Sequence, residues 1–192
     1  MERRLASLAL LALLAAGSAA ARADDRATVR SKVSAAMRAA KSYMVTTTAS
    51  TGFSVTTTFA APDRYHSTLT YSGQVRDVVL IGPVAYISDG AAYRRTDAPP
   101  EVVEAQTQLR EIPVDSVLPD KTASGRTWGQ FTTTSAGPQK DQHLTCTYDK
   151  KTYRINDCSN EGLTLTFSHY DDPANVVTIP ANLATSAPGA AH

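Results

Sequence analysis

Four histidines, His66, His143, His169 and His192, are the side chains best suited to bind a metal or move a proton near neutral pH. Their spacing supports neither role, because it matches no metal-ligand pattern and the last lies in the terminal tail. His169-Tyr170-Asp171 brings three titratable types together in sequence, yet neighbouring residues on a strand face opposite sides. Asp171-Asp172 precedes Pro173 and reads as a turn rather than a paired-carboxylate centre. Arg64, in a Pro-Asp-Arg turn, reads as a solvated charge. A Gly-x-Ser-x-Gly elbow, a phosphate-binding glycine loop and a His-Glu-x-x-His helix are absent. The chain is therefore not expected to be an enzyme, and no cofactor or metal is expected. What remains is apolar: large side chains collected on one face of a sheet, a surface suited to greasy ligands.

That face is carried by Phe53 to Arg95. Phe53, Val55, Thr57 and Phe59 alternate, turn at Ala61-Pro62-Asp63, and resume as Tyr65, Ser67, Leu69 and Tyr71. After Ser72-Gly73 the pattern passes from Val75 through Val79 and Ile81, breaks at Gly82-Pro83, and continues through Val84, Tyr86 and Ser88 to Asp89-Gly90 and Tyr93. A period of two belongs to strands, and short connections make sequence neighbours sheet neighbours.

Residues 1–23 have the three parts of a secretory signal: Arg3 and Arg4, an apolar run from Leu5 to Ala16, and Ala21-Arg22-Ala23 before Asp24. The run is shorter than the roughly 20 residues of a spanning helix, which predicts cleavage rather than anchoring. Cleavage after residue 23 of 192 leaves 169 residues, one domain of ordinary size, with 17 acidic and 16 basic side chains. Without a basic stripe, nucleic acid and acidic membrane surfaces are not expected partners. Export to an oxidising compartment predicts a disulfide between Cys146 and Cys158, and no Cys-x-x-Cys spacing suggests redox catalysis. In the tightest hairpin register Cys158 falls diagonal to Cys146, so a bulge or irregular end is expected with the bridge.

The elements around this sheet follow from periodicity. Asp25 to Ser42 reads as a helix with Val29, Val33, Ala36, Met37 and Ala40 on one face. A strand beginning at Tyr43 follows. A second helix opens at Pro100, with Val102, Val103, Gln106, Leu109 and Arg110 on a face, and ends before Pro113. A loop through Val114, Leu118 and Pro119 leads to strands at Thr127–Thr134, Leu144–Tyr148, Tyr153–Cys158, Leu163–Tyr170 and Val176–Ile179. The tail from Ala181 to His192 is rich in small residues and is expected to be disordered. Without a βαβ rhythm, the fold class is α+β, mostly β, with an antiparallel sheet and helices on one side, in one domain over residues 24–180.

This order, together with FSVTTTFAAPDRYH, VVLIGPVAYISDGAAYRR, CTYDKKTYRINDCSN and the closing YDDPANVVTIP, resembles the LolA-like / LppX-like superfamily of periplasmic lipoprotein and lipid carriers. Its strongest local signals are Ala61-Pro62-Asp63-Arg64-Tyr65, Ile81-Gly82 with Tyr86 before Gly90, and Ile179-Pro180. The resemblance implies a curved, incomplete half β-barrel covered by an N-terminal helix and a central lid helix. It also implies an apolar cavity between sheet and lid. The lining then expected is Phe53, Val55, Phe59, Tyr65, Leu69, Val79, Ile81, Tyr86, Tyr93 and Phe167, with Val33, Met37, Val102 and Leu109 from the lid. The function implied is a periplasmic carrier or sensor of a lipid, a lipoprotein acyl chain or a similar apolar ligand, with a lipoprotein or envelope protein as a further partner. The alternative is an envelope protein-interaction or stress-sensing module whose core is filled and which works through its edge or rim.

Overall fold

The computed structural model describes residues 25–108, 110–134 and 142–184, so the expected signal and most of the expected tail lie outside it. Helix α1, residues 25–39, is followed by β1 (Ser42–Ala49), β2 (Ser54–Ala60), β3 (Arg64–Tyr71), β4 (Gln74–Ile81), β5 (Val84–Ser88) and β6 (Tyr93–Asp97). After α2 (Pro100–Gln108) come β7 (Ser116–Ala123), β8 (Arg126–Thr134), β9 (His143–Asp149), β10 (Ile155–Ser159) and β11 (Leu163–Ser168). All eleven strands form one antiparallel sheet in the order β6-β5-β4-β3-β2-β1-β11-β10-β9-β8-β7, whose edges β6 and β7 do not pair. This is the expected α+β half-barrel: a curved, unclosed sheet with two helices. Among the described residues no helix is long and apolar enough to cross a membrane.

Local chemistry explains the turns. Ser72-Gly73 and Ser124-Gly125 join adjacent strands as two-residue loops, and all four residues have positive φ, between 50° and 76°. A type I′ hairpin turn requires this at both central positions. The α1 face read from periodicity is the buried one: Val29, Val33, Met37 and Ala40 all pack into the core. The helix stops short of Ser42, which opens β1, because the chain is turned there by a carboxylate from just beyond β11, the strand paired with β1. Asp171 Oδ1 accepts the Lys41 amide at 2.7 Å, and the Asp171 amide donates to Ser42 O at 2.9 Å.

Three expectations need correction. The segment read as a loop through Leu118 and Pro119 is β7, an edge strand. Its proline is tolerated because the ladder slips between Leu118 and Lys121. Val176–Ile179 is not a strand. Only Val177 is buried there, while Val176 and Ile179 are 66% and 55% exposed, and Arg64 Nη1 donates to Val177 O at 3.2 Å. Finally, the first residues of the expected disordered tail are ordered. The amides of Tyr93 and Ala184 donate to Asn182 O and Tyr93 O, so Leu183 bridges the β6 edge.

The expected disulfide is present. Cys158 stands directly opposite Cys146 rather than diagonal to it, because the irregularity falls earlier, between Ile155 and Asp157. Both sulfurs lie in the main core beside Phe131, Leu144 and Tyr148.

Candidate apolar ligand site

Register decides which side chains share the face beneath the helices. One cross-strand row on this inner face runs Tyr43, Phe59, Tyr65, Leu80 and Ala85. The next runs Phe167, Val45, Thr57, Ser67, Val78, Ile87 and Arg94. A third runs Leu165, Thr47, Val55, Leu69 and Arg76. Helix α1 packs into one core with Tyr43 and Phe59 of the first row and with the β8–β10 side of the sheet. There Met37, Tyr43, Phe59, Phe131 and Ile155 are all less than 2% exposed. This half of the expected cavity is solid core.

The other half is open. A cleft of about 390 Å³ lies between the β2–β3 turn, the inner face and α2, lined by Pro62, Tyr65, Leu80, Pro83, Ala98, Val103, Thr107 and Arg110 among others. That volume falls within the roughly 300–1,000 Å³ of small-molecule sites. Its lining is largely apolar, with the aromatic ladder Tyr43, Phe59 and Tyr65 rising beside it at centroid spacings of 4.9 and 5.1 Å. Burial pushes the hydroxyls of Tyr43 and Tyr65 above the usual tyrosine range, so both stay protonated.

Arg110 closes the cleft at one end. Its guanidinium carbon lies 4.9 Å from the Phe59 ring centroid, Nη1 donates to Pro62 O at 3.0 Å, and Nη2 donates to Arg38 O at 3.2 Å. One side chain thus joins the end of α1, the β2–β3 turn and the chain just beyond α2. Planar, forked guanidinium geometry suits this double carbonyl contact as an ammonium would not.

The residues expected to line a cavity are not brought to one place. Tyr65 lines the cleft, and Val102 of the lid is half-buried against the core. Val55 and Leu69 are half-buried on the inner face further along the same strands. Phe53 lies beyond them, its ring 6.5 Å from that of Tyr71. Phe59, Phe167, Val33 and Met37 are inner-face or lid residues sealed in the α1 core. Val79, Ile81, Tyr86 and Tyr93 are not brought to this face at all. They form a second cluster on the outer face, covered by Val177. Leu109 lies outside the described residues.

That correction has a simple cause. In Val78-Val79-Leu80-Ile81 every position is apolar, so alternation does not reveal which parity faces the helices. Both parities are apolar because the closing segment buries the outer face here as α2 buries the inner one. The cleft-forming Leu80, Val103, Thr107 and Arg110 were not marked as lining by the sequence. Only the face read for the second helix, already containing Val103 and Arg110, hinted at them.

Elsewhere the titratable side chains are dispersed. His66 Nε2 lies 3.4 Å from Asp77 Oδ1 on the outer face, where Thr68 also donates to that oxygen at 2.6 Å. Among the described residues no three His, Cys, Asp or Glu side chains are placed to hold a metal ion.

By sequence, no protein-family model and no curated protein matches this chain. By structure it is similar to LprF from Mycobacterium bovis, with a TM-score of 0.57 and 13% identity over 85% of this chain and 99% of that one. It is also similar to the Mycobacterium tuberculosis lipoprotein LppX, with a TM-score of 0.54 and 16% identity over 76% of this chain and 94% of that one. At these identities the likeness is one of fold. The chain shares the half-barrel fold of these two proteins.

Proposed function

We propose that this chain is an exported, periplasmic binding protein that holds a lipid, a lipoprotein acyl chain or a similar apolar molecule against the inner face of its half-barrel, as a carrier or a sensor. The observation that carries the reading is the cleft of about 390 Å³ left between α2 and the sheet, beside the solid core under α1. Its floor of Tyr65 and Leu80 and its wall of Pro83, Ala98 and Val103 offer apolar contact with little polar competition. Each methylene removed from water contributes about 0.8 kcal/mol, so a chain of several carbons supplies useful affinity without specific polar contacts. The likeness of fold to a mycobacterial lipoprotein and the secretory pattern of residues 1–23 support an envelope setting.

The test is mass spectrometry of an organic extract of the protein purified from the compartment to which it is exported. Near-stoichiometric lipid is expected, together with saturable binding of a fluorescent fatty acid. Thr107→Trp, which fills the cleft from the exposed side of α2, should abolish both without lowering stability. A lipid-free extract, with fatty-acid binding that Thr107→Trp leaves unchanged, would sink the reading. The second reading, an interaction module, draws on the solid α1 half. It gains if no lipid is found while an envelope partner is retained by native protein and lost when the exposed Val176 and Ile179 are made polar.

A further inference from the structure

The inner face carries an anomaly that the apolar cleft does not explain. Along β4 the inner-face positions are Leu80, Val78 and Arg76, and β5 and β6 add Ala85, Ile87 and then Arg94. The strip therefore begins at the floor of the cleft, stays apolar for one pleat, and ends in two arginines. By the rise of a strand, Leu80 to Arg76 is about 13 Å. Both arginines line one depression of about 480 Å³, shared with Ile87, Gln74 and the Asp89-Gly90 turn. They stand 18 positions apart in sequence and meet only because β4, β5 and β6 form a meander.

In this meander Asp77 and Asp97 have the outer-face parity, as does Arg95, and Asp77 is engaged with Thr68 and His66. Asp89 is the acidic side chain at the depression, and its Oδ1 already accepts the Ala92 amide at 3.1 Å. Among the described residues neither Arg76 nor Arg94 has an ion-pair partner. Two forked cations facing the single carboxylate of Asp89 leave an excess positive charge at the end of an apolar strip, which matches an amphiphile with an anionic head group.

Resting on the reading of the cleft as an apolar ligand site, we propose that its ligand is an anionic amphiphile. The carboxylate or phosphate is held between Arg76 and Arg94, and the chain lies along Ile87 and Val78 toward Leu80. The two cations select for charge, while the cleft selects for an elongated apolar body.

The test uses delipidated mature protein and three probes: dodecanoate, dodecanol and inorganic phosphate, titrated at low and high salt. Dodecanoate should bind about tenfold more tightly than dodecanol at low salt, from charge-assisted hydrogen bonds to the head group. High salt should shrink that advantage in the native chain, a readout that needs no variant. Arg76→Gln/Arg94→Gln should lose it while keeping both its dodecanol affinity and its thermal midpoint. Equal affinity for dodecanoate and dodecanol in the native chain overturns the head-group site and leaves the apolar cleft standing. Binding of neither overturns both readings. Inorganic phosphate binding as tightly as dodecanoate assigns the arginines to a free anion and overturns the amphiphile.

Discussion

Arg110 is a small residue-scale test of how the cleft is held. Its two carbonyl contacts and its seat over Phe59 link three segments that are otherwise separate in sequence. Arg110→Leu keeps much of the packing and removes both charge-assisted bonds, and should cost about 1–2 kcal/mol in urea denaturation. Arg110→Lys should recover less than half, because an ammonium does not span both carbonyls. A lysine variant as stable as the native chain would assign the role to charge alone. Asp149 offers a second test, in acid. Burial alone would raise its carboxyl, but the amides of Thr152 and Lys151, the Thr152 hydroxyl and the Arg126 guanidinium hold it down at about 2. The unfolded value is near 3.9, so the stabilisation is fully present above about pH 4 and is lost as pH falls toward about 2. Allowing for solvent screening it is on the order of 1 kcal/mol. The gap between native protein and Asp149→Asn in urea midpoint should close over that window, and a constant gap would refute the assignment.

At the scale of elements, Gly129 shows how the strand pairs near the sheet edge are fitted together. It stands opposite Tyr148, and a Cβ there would lie 2.2 Å from the Tyr148 ring carbon Cζ. Gly129→Ala must displace a ring stacked on Tyr153 at 5.5 Å, on which Lys32 of α1 also rests. Overpacking of this kind should destabilise by about 1–3 kcal/mol, measured by thermal or urea unfolding. Rescue by Tyr148→Ala would confirm the cause. The same region shows what was legible in the sequence. Strands with polar residues at alternate positions, such as β2 and β3, could be placed by eye with the correct face. So could α1, whose apolar stripe has room for only one orientation. Legibility fails where two surfaces bury one strand. Val78 to Ile81 is apolar throughout, so the parity of β4 rests on contacts from α2 and from Val177, both distant in sequence. It fails again at β7, where Pro119 reads as a loop although an edge strand accommodates it. The Ser124-Gly125 turn was the local sign that a hairpin preceded β8. Arg110 could be placed on the face of the second helix by period, but its role, like those of Arg76 and Arg94, arises only once separate segments meet.

At the scale of the whole molecule, the half-barrel is asymmetric in a way that predicts how it moves. Under α1, core side chains from both halves of the strand order interlock, from Tyr43 and Phe59 to Phe131 and Ile155. Under α2 the nine-residue helix Pro100–Gln108 rests on half-buried Val102, exposes Val103 at 38%, and borders the cleft. Regions with few buried apolar contacts open at lower free energy than the core they adjoin. Native-state hydrogen exchange should therefore find α2 amides exchanging well before those of α1 and β1. A ligand in the cleft binds only the closed arrangement and stabilises it by RT ln(1 + [L]/Kd), about 2.7 kcal/mol at a hundredfold excess over Kd. Saturating dodecanoate should accordingly slow exchange in α2 by up to about a hundredfold, and Thr107→Trp, which fills the cleft, should abolish that slowing. Slowing that survives Thr107→Trp would mean that the ligand enters the α1 core instead. The division of the inner face into a solid half and an open half would then be wrong.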